Sequence, residues 1–317
     1  MFCCAMNGSK GMFIDMEEKE MILIKKIEKL NEEYLNSGDY SLGIYTKYLY
    51  SLFKNKKFIQ LFRMIMLHFK QKKVKEDIDN IYKEQSTYIV DNKQQRRIAI
   101  YTCITGEYDN VEEPLIAEKA CDYFLFTNNN SLKSNVWNIK EIPEGIKKIS
   151  NNAKINRYIK MHPKELFPDY DYAIYIDGNV KIISIISQLV NKINSKTGLA
   201  IHRHCQRTCI YEEIKACRAY KKGKYCDLKK QVNRYKKEKF PNNYGMLECN
   251  MIVSDLNNNN ANKILSEWWH EYLKSESMRD QIALPYILWK KNLKIDDVGN
   301  LGNNINKNYL LKINTHK

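Results

Sequence analysis

The chain has 317 residues, 52 Lys and Arg against 37 Asp and Glu, and a formal charge of +15. This length can bury a core without staples, no run approaches the roughly 20 apolar residues that cross a bilayer, and the start lacks a secretory pattern, so the expected location is cytoplasmic. The positive charge favours an anionic partner such as a nucleotide, an acidic glycan or an anionic membrane surface; nucleic acid is discounted, because Asn, Ile, Tyr and Lys are the residues of AT-rich codons.

Residues 1–95 read as a helical extension. Ile24, Ile27, Leu30 and Tyr34 recur at helical spacing, as do Tyr45, Tyr48, Leu49 and Leu52, and then Phe58, Leu61, Phe62, Ile65, Met66 and Phe69. Asn36 to Asp39 breaks the first two helices, and Lys70 to Lys75 reads as a solvated face.

Residues 96–317 form the expected catalytic domain. Strands are predicted at 98–103, 123–127 and 137–142, a helix over 151–161, a strand at 173–176, a helix near 184–193 and a strand at 199–202. A helix from Cys209, a basic helix in 221–239, a strand near 246–253 and helices over 261–273 and 279–291 follow. This alternation predicts an α/β fold with a mostly parallel sheet flanked by helices.

The strand at 173–176 ends abruptly in Asp177-Gly178-Asn179. A carboxylate and an amide oxygen two residues apart, with glycine permitting a sharp turn, can face one hard cation or one ribose diphosphate; Asp-Gly-Asn also makes an ordinary hairpin turn. Open α/β sheets bind ligands at such strand ends. The first strand of the domain carries Tyr101 and Thr102 and runs out into Thr105-Gly106, where hydroxyls and backbone N–H groups can receive a base or ribose, although a plain β-turn fits as well. Lys154, Arg157 and Lys160 recur every three residues on a predicted helix and can present a basic row to a diphosphate or to solvent.

His204, Arg207, Glu212 and Glu213 cluster before and within the next helix, where the acids also complement its dipole. Glu248 interrupts an apolar strand, so it is expected at a strand end facing a cleft. Arg279, Asp280 and Gln281 open a helix, a place for sugar hydroxyls or for a cap. The nine cysteines are expected to be reduced. His202, His204, Cys205 and Cys209 could ligate zinc, but their spacing matches no recognised finger, and thiols packed as small apolar groups are the favoured reading.

Taken in order, IYTCITGEYD, DYFLFTNN, KINRYIKMHPKELFPDYDYAIYIDGNV, HCQRTCIYEE, GMLECNMIV, EWWHE and RDQIALPYILWK resemble a family of GT-A-fold glycosyltransferases found in bacterial polysaccharide loci and in plants, long catalogued as a domain of unknown function. The resemblance covers about residues 97–292 and leaves the N-terminal helices outside. It implies a GT-A-like (Rossmann-like) fold and a hexosyltransferase-type reaction, in which a nucleotide-sugar donor gives its sugar to a glycan or lipid-linked acceptor at the inner membrane face. It also puts Asp177 and Asn179 in the place of the Asp-x-Asp motif that binds Mn or Mg. Asn179 keeps an oxygen ligand and loses one charge relative to that motif. His316 becomes a further metal ligand by the same resemblance, and Cys205 stands where a proline is expected. For an inverting reaction Glu248 or Asp280 would take the acceptor's proton; for a retaining one they would position sugars. The rival readings are a nucleotidyltransferase, for which ITGEYD is a poor phosphate loop, and a non-catalytic basic protein for nucleic acid or anionic membrane.

Overall fold

The computed structural model describes residues 18–36, 49–50, 52–84, 87–91, 95–149, 151–220 and 222–314. Two helices with defined bounds precede the strands, α1 (Glu18–Asn36) and α2 (Phe58–Glu84), and residues 49–50 and 52–54 between them are also helical. Among the described residues eleven strands follow: β1 (Tyr88–Val90), β2 (Ile98–Ile104), β3 (Ile116–Glu118), β4 (Cys121–Thr127), β5 (Asn138–Glu141), β6 (Tyr172–Ile176), β7 (Val180–Ile182), β8 (Leu199–Arg203), β9 (Leu247–Asp255), β10 (Gly299–Asn300) and β11 (Leu311–Ile313).

Seven of these strands form the central sheet, in the order β10-β8-β9-β6-β2-β4-β5. Every pairing in it is parallel except those of β9, which runs antiparallel to both β6 and β8. The result is the expected mixed α/β architecture with a mostly parallel sheet. Strand β2, inside the sheet between β6 and β4, is buried along its whole length, the mark of a strand covered on both faces.

Alternation along β2 divides the core. Tyr101 and Cys103 face a layer of helices, α3 (Asn152–Met161), α4 (Ile210–Ala219), α5 (Tyr225–Lys237), α6 (Asn259–Ser275) and α7 (Asp280–Lys290), whose apolar faces supply Ile159, Leu228, Trp268 and Leu284. Ile98, Ile100 and Ile104 face the opposite layer, with Trp137, Leu189, Leu310 and Leu311. That second layer holds a six-residue 3-10 turn, Ser187–Lys192, where a helix over 184–193 was expected. The preceding run Ile182-Ile183-Ser184-Ile185-Ile186 is β-branched at four of five positions, which disfavours continuous α-helix.

Among the described residues of the first 95, not all are helical, and both α1 and a strand pack against this body. β1 pairs in parallel with β3, as the β-branched and aromatic Tyr88-Ile89-Val90 would favour. Ile24 and Ile27 of α1 share a core with Leu115, Ile116, Ile183 and Ile185, and the Asn31 amide donates to Tyr309 O at 2.9 Å. Tyr45 and Tyr48 lie outside the described residues.

His202 on β8 is fully buried, and Asn308 Nδ2 lies 2.9 Å from its Nε2. Among the described residues that amide is the ring's one polar partner, and buried Nδ1 has none, so a second proton would be buried unpaired and the ring is held neutral. Burial pulls its pKa down to about 4. The unfolded chain, with an ordinary imidazole near pH ~6.5, therefore binds a proton that the folded chain refuses between those two values. Stability is expected to fall as pH drops from about 6.5 to about 4, by up to about 3 kcal/mol from this one group. A His202→Gln variant followed by urea unfolding across that range should show the loss reduced by this amount.

Candidate active site

A cavity of about 650 Å³ opens at the carboxyl ends of β2 and β6. The chain leaves β2 for β4 and β5 on one side and returns to β6 on the other, so this is the point where the strand order reverses and where open α/β sheets form their ligand crevice. Asp177 and Gly178 supply the tip of β6, Ile104 to Asp109 the exit of β2, Arg157 and Lys160 the wall from α3, and Arg279, Asp280 and Gln281 the start of α7.

At its floor is a buried charge cluster. Lys160, 2% exposed, donates to Asp280 Oδ2 at 2.8 Å, and Arg157 Nε lies 3.0 Å from the same oxygen. The Arg157 contact lacks hydrogen-bond alignment, so it acts by charge alone. Burial by itself would raise the Asp280 carboxyl, but Arg157, then Lys160 and Arg279, hold it well below the usual carboxylate range. Burial likewise disfavours the Arg157 cation, and Asp280 and then Asp177 more than reverse this. Lys160 also lies 5.2 Å from the Tyr175 ring and 5.7 Å from the Trp268 ring, while Trp268 Nε1 donates to Asp280 O at 2.8 Å. The cations are thus fixed by a frame of aromatic and acidic groups, with Arg157 directed into the cavity.

Asp177 is held equally firmly. Its Oδ1 accepts from Tyr175 OH at 2.9 Å, its Oδ2 from Asn250 Nδ2 at 2.9 Å, and Lys160 Nζ stands 3.8 Å from Oδ1. Asn250 reaches it through a bulge. Ile201 of β8 faces Ile252, whereas the next residue, His202, faces Glu248, so Cys249, Asn250 and Met251 arch out of that ladder. Bulges beside functional sites re-aim side chains, and this one also brings Asn250 O to Asp177 N at 2.8 Å. Gly178 does not take up the left-handed backbone that a sharp turn would need. Its requirement is space, since a Cβ there would sit 2.8 Å from Ile104 Cγ1.

Gly106 does adopt φ +64°, and three asparagines fix its loop: Asn128 Oδ1 accepts from Gly106 N at 2.7 Å, Asn129 donates to Gly106 O at 3.2 Å, and Thr105 Oγ1 donates to Asn152 O at 3.2 Å.

The structure brings Thr105, Gly106, Arg157, Asp177, Gly178, Arg279, Asp280 and Gln281 together around the cavity. It separates the others. Tyr101 is buried behind the wall, where its hydroxyl donates to Lys160 O at 3.0 Å, and Thr102 points to the opposite face of the sheet by strand alternation. Lys154 is outside because α3 turns Ala153, Asn156, Arg157 and Lys160 inward, an i, i+3, i+4, i+7 face that the three-residue row did not capture. Glu248 is buried outside the cavity and accepts from Ile305 N at 3.0 Å, since the bulge presents Cys249 and Asn250 instead. Asn179 is 6% exposed and donates to Asn314 O at 2.7 Å. His316 lies outside the described residues.

His204, Arg207 and Glu213 form a separate cluster beside the cavity. Arg207 Nε pairs with Glu213, His204 Nε2 lies 3.7 Å from the same carboxylate, and Arg279 NH2 lies 3.9 Å from its other oxygen. Glu212, one residue earlier on α4, faces solvent. His204, Cys205 and Glu248 bring one ligand atom each within 4.8 Å of one another. Glu248 is already engaged by Ile305, and Arg207 NH2 lies 3.2 Å from His204 Nε2, a charge that opposes a cation there. His202 and Cys209 take no part in that group.

Asn156, Lys222 and Asn250 also line the cavity without having been singled out. Asn156 shares a helical face with Arg157 and Lys160 and was legible from that spacing; nothing local in the sequence marked Asn250.

Residues 68–316 match the profile of the TOD1/MUCI70, glycosyltransferase-like domain family, and the chain belongs to that family. Comparison with curated proteins finds no match. Solved structures similar to the chain include the WbbM bifunctional glycosyltransferase, at 9% identity and a TM-score of 0.37, covering 84% of this chain and 57% of that one. Mouse xyloside xylosyltransferase 1 is similar at 9% identity and a TM-score of 0.38, covering 62% of this chain and 83% of that one. The chain thus spans 57% of the length of the WbbM structure.

The charge cluster makes a stability prediction. A carboxyl whose folded pKa is depressed contributes stability above its unfolded value, near ~3.9, and loses it as pH falls below that. Asp280→Asn leaves Arg157 and Lys160 buried without their shared anion, which should cost about 3–5 kcal/mol at pH 7. The variant's thermal midpoint should also depend less on pH below about 4 than that of the unchanged protein.

Proposed function

We propose that the chain is a glycosyltransferase that moves a hexose-type sugar from a nucleoside diphosphate donor to a glycan or lipid-linked acceptor, with a divalent ion assisting. The observation that carries this reading is the meeting of Asp177, Arg157 and Lys160 at the strand-order reversal, in a cavity of about 650 Å³. In glycosyl transfer the bond from the sugar's anomeric carbon to the diphosphate breaks and a bond to an acceptor oxygen forms. Negative charge builds on the leaving diphosphate, and fixed cations facing it are worth far more in such a site than in water. Arg157 and Arg279 supply such charge from this chain's own residues, with Lys222 at the rim. Thr105 and the backbone around Gly106 are suited to the donor's base and ribose.

The residues present fit a metal ion. Asn179 Oδ1 is buried and lacks any hydrogen-bond partner, while its Nδ2 is committed to Asn314. An amide oxygen left without a partner, two residues from a carboxylate though outside the cavity lining, belongs to the hard-donor set that suits Mg or Mn. Asp177 and Asn179 are the residues that would hold it, and His316 is added by the family resemblance alone. The bound ion would act as a Lewis acid on the diphosphate oxygens.

Asp280 is not suited to be the proton acceptor, because two buried cations suppress its basicity and a catalytic base works best with a pKa near the operating pH. Its role in this reading is positional, holding Arg157 and Lys160 toward the donor. Glu248, behind the cavity wall, keeps its part in tying β9 to the segment at Ile305.

Purified protein given Mn and a panel of UDP, GDP and CMP sugars should hydrolyse at least one of them slowly. Asp177→Ala should lower that turnover by at least roughly a hundredfold while the circular dichroism spectrum is retained. Unchanged turnover in the folded variant removes Asp177 from the mechanism. Arg157→Lys, which loses the planar fork that matches phosphate, should raise KM for the same donor roughly tenfold.

A further inference from the structure

We propose that the outward face of α2 is a docking surface for an anionic lipid bilayer. A surface helix normally turns its apolar stripe to the core and its polar side to water. The sequence of the first turns of α2 is apolar on both sides, with positions Leu61, Met64 and Leu67 opposite a row of large side chains that faces out: Phe58 is 55% exposed, Ile59 87%, Phe62 66%, Met66 53% and Phe69 60%. At about 100° per residue these five side chains and Ile65 share an arc of roughly 120°. Val74, which is buried, falls outside it. Side chains of this size placed singly on a surface need no explanation, whereas a contiguous row of them marks an interaction site.

The charge around the row chooses its occupant. Residues 52–75 carry eight Lys or Arg and no Asp or Glu. Exposed Arg63 and Lys70 border the apolar arc on one side and Lys72 on the other, Lys73 closes its C-terminal end one turn beyond Phe69, and Lys54, Lys56 and Lys57 precede it. An apolar stripe flanked by cations is the composition of a helix that lies in the plane of a membrane, with rings in the acyl boundary and ammonium groups among anionic headgroups. Two copies of this chain meeting through the same face would bring sixteen like charges together, which disfavours a self-complementary contact. Among the described residues no helix is long and apolar enough to cross a membrane, so α2 would lie on the bilayer.

This inference goes beyond the transferase reading and is tested without it. The full chain is sedimented with vesicles of neutral phosphatidylcholine and with vesicles containing about 30% phosphatidylglycerol, at low and at high salt. Binding is expected to the anionic vesicles, to weaken with salt, and to fall at least roughly tenfold in a Phe58→Ser, Phe62→Ser, Phe69→Ser triple variant. The thermal midpoint and vesicle-free donor hydrolysis of that variant should match those of the unchanged chain, which separates a failure here from a failure of the catalytic assignment. Equal binding to both vesicle types, undiminished binding by the triple variant, or a concentration-dependent dimer that the triple variant converts to monomer would each overturn the proposal.

Discussion

Two cations and one carboxylate, packed together in the cavity floor, set the terms for everything around them. Lys160, Arg157 and Asp280 cannot be buried separately at any tolerable cost, so their mutual placement locks α3 to the start of α7. Tyr101, on β2, holds the backbone of Lys160 by donating its hydroxyl to the Lys160 carbonyl. The wall of the site is therefore a consequence of charge neutralisation, and its rigidity comes from the same source as its electrostatic character.

That arrangement also sorts the acids. Four carboxylates line the cavity, those of Glu107, Asp109, Asp177 and Asp280, against four cations, Arg157, Lys160, Lys222 and Arg279. Asp280 is spent on Arg157 and Lys160. Asp177 is shaped by Tyr175 and Asn250. An incoming diphosphate would meet a surface whose fixed charges balance before it arrives, so a divalent ion entering with the donor would preserve that balance.

Much of the α/β body was legible because buried parallel strands write continuous apolar runs and the helices between them write a 3.6-residue period. Asp177 was legible for a related reason: a charged residue directly after Ala173 to Ile176 has to emerge at a strand end. What escaped was whatever depends on two segments at once. The bulge that replaces Glu248 by Asn250 arises from a mismatch between β8 and β9 that neither strand carries alone. Lys154 was included because a spacing of three drifts about 60° per step around a helix, and only the packed structure shows which side of that drift faces inward. The strand at Tyr88 was lost in a region dominated by helical periodicity, because three residues are too few to establish a period of two.

The arch in β9 makes the site unusually sensitive to the length of that strand. Side chains on a strand alternate in direction, so losing a single residue before Asn250 would change the phase of everything upstream of it. Loss of Asn250 itself would instead put the Cys249 thiol where an amide now steadies Asp177. Members of the family with one residue fewer in this segment would be expected to differ in the chemistry they present to the β6 tip, even if every other side chain around the cavity were the same.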